Sequence, residues 1–247
     1  MLPRRRPPTL VHPAPGIDVP MRSIVDTWRA SVRLALGLDS PQLRRTLDSA
    51  LRAIARISSP IGPTIRTQSR NLALLAYVTT RDTSFIAPLR RWGSKQVPSE
   101  VEALVALDAG DTKRAAEIAA RFRPPDSARL VTDPGTGFTL FTQAEIFARI
   151  GDARRAIALY ESIDRKDLTL AFGPDARLPL YARSFLARGQ LYEQLGDRQR
   201  AIAAYEQFLE IWKDASPELQ GQVRLAREGL IRLRDAPAQQ LPKREGR

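Results

Sequence analysis

The residues that could do chemistry are few and poorly placed for it. His12 is the only histidine. It lies in MLPRRRPPTLVHPAPGIDVP, a proline-rich stretch at residues 1–20 that blocks helix formation. A Ser-His-Asp triad or a histidine-bound metal needs a positioned imidazole, and His12 has nothing to position it. The chain has no cysteine, which excludes disulfides, thiolate zinc sites and a cysteine nucleophile. Asp133-Pro134-Gly135-Thr136-Gly137 has the glycine content of a phosphate loop, but no Gly-Lys-Ser/Thr follows, so it reads as a turn. Glu145, Glu193 and Glu206 fall on predicted helix faces and read as solvated carboxylates rather than a paired acid and base. No catalytic, cofactor-binding or metal-binding residue is predicted, no cofactor is expected, and the chain is expected not to be an enzyme.

What recurs is a phrase. GDARRAIALYESI at 151–163 returns as GDRQRAIAAYEQF at 196–208, with a weaker echo, GDTKRAAEIAARF, at 110–122. A fixed phrase at intervals of about forty residues marks a stacked-repeat protein. Such a protein works by presenting a surface.

The elements that carry the phrase are helical. Alanine, leucine and arginine dominate and aromatics make up 6%, a balance that favours helices over sheets. Residues 1–20 read as an extended arm or linker, and 21–97 as a basic helical region of possible degenerate repeats. Residues 98–234 read as the repeat region and 235–247 as a frayed polar tail. In the front half, 21–37 has helical periodicity with Ile24, Trp28, Val32 and Leu36 on one face, and Gly37 stops it. Ser40 caps a second helix begun by Pro41, with Leu43, Leu47, Leu51, Ile54 and Ile57 as its stripe. SSPIGP at 58–63 breaks that helix. A third runs over 66–79 with Leu72, Leu74, Leu75 and Val78, and a short one over 84–92. In the repeat half, helices are predicted from Pro98-Ser99-Glu100 through Leu107 and over the 110–122 echo. Others follow at 138–150, 153–163, 178–195, 198–212 and from Ser216-Pro217-Glu218 to Arg234. Loops at 123–137 and 164–177 separate the copies.

The net charge of +12 is unevenly spread. Residues 1–95 hold 16 Lys and Arg against 5 Asp and Glu, while the rest is nearly neutral. Two readings stand: an acidic partner such as nucleic acid, anionic lipid or an acidic protein, or the arginine bias of an alanine-, arginine- and proline-rich composition. No run of about eighteen apolar residues exists to span a membrane. The first twenty residues lack the apolar core of a secretory signal. A cytoplasmic location is the expectation.

Ala182 to Ser216 resembles a tetratricopeptide repeat. Phe185, Gly189, Tyr192, Ala201 and Tyr205 fill that family's slots at its spacing. The preceding copy offers Ala144, Phe147, Gly151, Ala156 and Tyr160. Arg188 departs from a usual leucine, and Lys213 stands where proline is common. The resemblance implies an all-α fold, a right-handed superhelical stack of antiparallel helix pairs. Its last helix is a capping helix with the stripe Leu219, Val223, Ala226, Leu230 and Leu233. Gly189 and Ala201 would lie at the helix crossing, with Phe185, Tyr192 and Tyr205 filling the gaps around it. The stretch from Leu180 to Gln220 is also similar to C-terminal repeat regions of bacterial serine/threonine kinases and multidomain regulators.

The resemblance also implies a concave surface formed by the first helix of each pair. On this chain it would project Arg183, Leu186, Gln190, Glu193 and Gln194 from one copy and Phe141, Thr142, Glu145 and Arg149 from the other. A protein or peptide is the expected partner. The alternative is nucleic acid bound by the basic front half through Arg44, Arg45, Arg52 and Arg56.

Overall fold

The computed structural model describes residues 21–54, 72–86, 98–123, 134–163 and 177–235. Among the described residues all regular structure is helical. In chain order the helices are α1 (Met21–Ala35), α2 (Pro41–Ile54), α3 (72–80), α4 (Ser99–Asp108) and α5 (Thr112–Ala119). They continue with α6 (Pro134–Arg149), α7 (Ala153–Glu161), α8 (Arg177–Gln194), α9 (Arg198–Ile211) and α10 (Gln220–Asp235). The arm with His12, the SSPIGP break, Arg56 and Ile57, residues 87–97, 124–133, 164–176 and 236–247 lie outside the described residues, as do the side chains of Ile24, Trp28 and Ile54.

The recurring Gly-Asp builds one turn three times. Gly110, Gly151 and Gly196 have φ of +79°, +88° and +72°, the left-handed conformation that ends a helix without Cβ strain. The amides of Asp111, Asp152 and Asp197 donate back to the carbonyls of Ala106, Phe147 and Tyr192 at 2.8, 2.9 and 2.9 Å. The carboxylates of the same aspartates accept from the amides of Arg114, Arg155 and Arg200 at 2.9, 3.1 and 3.1 Å. Each aspartate therefore closes one helix and caps the next, and the two helices fold back as a pair. The pairs α4–α5, α6–α7 and α8–α9 pack in series: α4 and α5 both meet α6, α6 and α7 both meet α8, and α8 and α9 meet α10.

Tyr205 holds the last pair to α10. Its ring is buried between two glycines, and a Cβ built on either Gly189 or Gly229 would fall 2.5 Å from it. The predicted Gly189–Ala201 crossing is thus a Gly189–Tyr205 contact, because the missing side chain leaves a slot the size of a ring. Ala201 is fully buried. Phe185 stays half-buried, edge-on to Tyr181 at 5.0 Å with the Arg188 guanidinium 4.9 Å above its ring. Leu219, in the turn before α10, is buried, as are Val223, Ala226 and Leu230 on α10; Leu233 is half-buried, while Gln220, Arg224, Arg227, Glu228 and Arg234 are exposed.

In the front half, Ser40 accepts from the Leu43 amide at 3.1 Å, and Leu43, Leu47 and Leu51 are buried. Residues 72–78 are buried on every side, the signature of a helix at the centre of a core. The apolar face of α1 differs from the predicted one. Ala30, Leu34 and Ala35 are buried while Val32 and Leu36 are half-buried, because the end of α1 touches several helices rather than one. The Asp133–Gly137 turn is also corrected. Pro134 opens α6, four residues earlier than the periodicity indicates, since proline is favoured in a first helical turn.

Candidate interaction face

The first helices α6 and α8 carry the predicted binding residues, and the structure separates those into three groups. Phe141 and Thr142 are 1% exposed and belong to the core, so a partner cannot touch them in this fold. Phe141 packs edge-on against Tyr160 at 5.4 Å, and Thr142 donates to the Phe138 carbonyl at 2.8 Å. Their burial differs from the expectation of an open face, because Tyr160 of α7 and Arg183 of α8 lie against the Phe141 ring.

The charged members are engaged internally. Glu145 accepts from the Tyr160 hydroxyl at 2.9 Å. Glu193 accepts from the Tyr205 hydroxyl at 2.9 Å and from Arg232 at 3.0 and 3.2 Å, and the Arg232 bonds hold its carboxyl below the ordinary value. Arg149 pairs with Asp108 at 2.8 Å. Glu206, on the other helix of the last pair, binds Arg234 at 2.7 Å. Glu145 and Glu193 are therefore half-buried hydrogen-bond acceptors that join helices, whereas Glu206 stays exposed to solvent in its ion pair, as its spacing suggests. Arg183 lies over the Phe141 ring at 4.8 Å and donates to the carbonyls of Leu34 and Ala35 at 3.4 and 3.2 Å. Desolvation lowers its pKa, and the nearby Glu145 carboxylate and Tyr160 act in the opposite direction. Only Leu186, half-buried, and Gln190 and Gln194, exposed, are left with side chains open on this face.

The front half lies against the same face. Tyr77 of α3 donates to Asp108 at 2.8 Å; burial first, and then the Asp108 carboxylate, pushes its hydroxyl up to about 12. Arg81 follows in the left-handed conformation at φ +56°. Desolvation lowers its pKa, its neighbour Arg149 adds to that, Asp108 and Glu145 oppose it, and its Nη1 is buried with no partner. The basic residues proposed for nucleic acid are partly neutralised. Arg44 binds Asp39 and Asp82, Arg52 binds Asp48, and Arg45 donates to Gln42 at 3.0 Å.

Arg188, the departure from leucine, has a clear place. It bonds Glu161 of the preceding pair at 3.2 Å, and Tyr192 donates to the same carboxylate at 2.7 Å. These residues, with Phe185, Arg200 and Gln207, line an open groove of about 480 Å³ between successive pairs.

Residues 182–211 match the family model for the tetratricopeptide repeat. The chain contains a tetratricopeptide repeat. The matched segment is α8 from Ala182 through the end of α9, and it holds Gly189, the Gly196-Asp197 turn and Tyr205. No curated protein and no solved structure matches the chain. A tetratricopeptide repeat suggests a protein–protein interaction module, and no helix among the described residues is long and apolar enough to cross a membrane. Sequence reasoning missed Gln222 and Gly229 on α10. Gly229 had a signal, a glycine inside a predicted apolar stripe.

Proposed function

We propose that the chain is a non-catalytic scaffold that binds a protein or peptide on the face of its first helices. In this reading residues 98–234 form a right-handed superhelical stack of antiparallel pairs, α10 caps it, and α1 and α3 pack on it. The concave surface is that of α4, α6 and α8, and the contact centres on Leu186, Gln190 and Gln194. The observation that carries the reading is the Gly-Asp turn. It recurs with the same φ region and the same aspartate cap in three successive pairs, one of which is a matched tetratricopeptide repeat. An identical turn gives each pair the same hand, and a series of like pairs is a rigid surface rather than a pocket for chemistry. The nucleic-acid reading has less support, since Arg44 and Arg52 face acidic neighbours.

A photo-crosslinking residue placed at Gln190 of the full chain, expressed in its native host, tests this. Capture of one discrete protein, lost on adding Gln194→Arg, is the expected result. Equal capture from a crosslinker at exposed Arg224 on α10, or none from Gln190, would remove the face as the binding site. Binding that falls steeply with salt would instead favour nucleic acid.

A further inference from the structure

The open groove of about 480 Å³ lies between the end of α7, one side of α8 and the adjoining side of α9. It is on the far side of α8 from the first-helix face. At about 100° per residue, Phe185, Arg188 and Tyr192 project roughly opposite Leu186, Gln190 and Gln194.

Two guanidiniums stand on aromatic rings in this groove. Arg188 lies 4.9 Å from the centre of the Phe185 ring, and Arg200 lies 5.7 Å from that of Tyr192. The Arg200 contact is part of the repeat, since Arg155 sits 5.6 Å over Phe147 at the same slots of the preceding copy. The Arg188 contact is not. Its slot in the preceding copy holds Gln143, which is buried and donates to Glu100 at 2.9 Å. The slot of Glu161, the ion-pair partner of Arg188, holds Ala120 in the 110–122 echo. The pair therefore belongs to this junction and not to the shared pattern.

The groove has a surplus of hydrogen-bond donors. A guanidinium carries five N–H donors. Arg188 uses one on Glu161 at 3.2 Å, and its Nε is buried with no partner. Arg200 reaches Asp197 through Nε at 3.4 Å, and its side chain is 69% exposed. Glu161, the carboxylate in the groove wall, already accepts from Tyr192 at 2.7 Å as well as from Arg188. A leucine at 188 would fill the slot without an orphaned donor, so packing does not account for the arginine.

We propose that this groove binds an acidic peptide segment of a protein partner, with an aspartate or glutamate carboxylate held between Arg188 and Arg200. The site lies off the first-helix face and does not depend on it. A carboxylate is an acceptor with about four lone-pair sites, which matches the surplus of donors. One negative charge also suits walls of two cations and one anion. A phosphate, at about −1.5 to −2, would meet Glu161 with too few cations around it. Phe185 and Ala203 give apolar surface beside the guanidiniums for the residue next to the acid, and the exposed Gln207 amide is placed to pair with peptide backbone.

The probes are acetylated, amidated peptides with randomised flanks and Glu, Gln or phosphoserine at the centre. They are presented to the full chain, and selected peptides are measured by fluorescence anisotropy. The Glu set should bind best and should enrich an apolar residue beside the acid. Arg188→Leu should keep the urea midpoint and weaken the selected Glu peptides by about tenfold, the scale of a hydrogen bond to a charged group. Glu161→Gln should tighten them, because it removes the carboxylate that competes for Arg188. An ion pair that only joins α7 to α8 would give no such opposite response. Gln190→Ala, on the other side of α8, should leave binding unchanged, which separates this site from the first-helix face. No enrichment, equal affinity for the Gln set, a preference for phosphoserine, or binding untouched by Arg188→Leu would overturn the proposal.

Discussion

Gly189→Ala tests the packing that defines the last pair. The added methyl carbon would sit 2.5 Å from one ring carbon of Tyr205 and 2.6 Å from the next. Carbon atoms in contact prefer about 3.5–4.0 Å, so the ring must retreat by roughly 1 Å. It cannot do so freely, because Gly229 faces its other edge with the same 2.5 Å clearance to a would-be Cβ. The Tyr205 hydroxyl is also fixed, by its bond to Glu193. Overpacking of this kind costs about 1–3 kcal/mol, while replacing a mid-helix glycine by alanine returns about 1 kcal/mol. A net loss of up to about 2 kcal/mol is expected. The decisive measurement is the coupling. Tyr205→Leu removes the ring, and in that background Gly189→Ala should become neutral or stabilising, a sign change worth about 1–3 kcal/mol. Urea denaturation of the four chains, followed by helical circular dichroism, gives every corner of the cycle. If Gly189→Ala costs the same in both backgrounds, the ring-over-glycine packing is not what the glycine serves.

The Gly-Asp turn and the acid limb provide two further tests. Gly196→Ala meets no atom within 4 Å, so its cost is backbone strain alone, about 1–2 kcal/mol, and Asp197→Ala should cost about 1 kcal/mol through the lost cap. Urea midpoints of both variants check this; a silent Gly196→Ala would show that the left-handed turn carries no strain. Glu193 has a folded pKa below its ordinary 4.5, chiefly through Arg232. The stability it contributes is therefore complete above about pH 4.5 and is lost as pH falls through the lower folded value. Glu193→Gln should reduce stability at pH 7 and narrow the difference between pH 7 and pH 3, measured as urea midpoints; an unaltered pH dependence would contradict the Arg232 pairing.

The repeat was legible because its rules are local. Glycine ends a helix and aspartate begins one within two residues, so Gly110, Gly151 and Gly196 announce their turns without tertiary help. The stripe of α10 was legible for a similar reason, since buried and exposed positions alternate with the helical period. Arg188 was seen as a departure, but its partner Glu161 lies 27 residues back across an intervening segment, and no period connects them. The face is a stronger case. Arg183 occupies a position for which the sequence resemblance implies a partner contact, and nothing within its own helix says otherwise. Its contacts are 148 and 149 residues away, and those of Gln222 and Arg33 are 186 and 185 away. The slots that recur between copies specify a shape, and so they are read from the pattern. What covers that shape is set by the unrepeated helices ahead of it, whose burial on all sides at 72–78 gives apolarity but no address. Family spacing therefore places Arg183 on the first-helix face, while its bonds to Leu34 and Ala35, 149 and 148 positions away, place its guanidinium inside the fold.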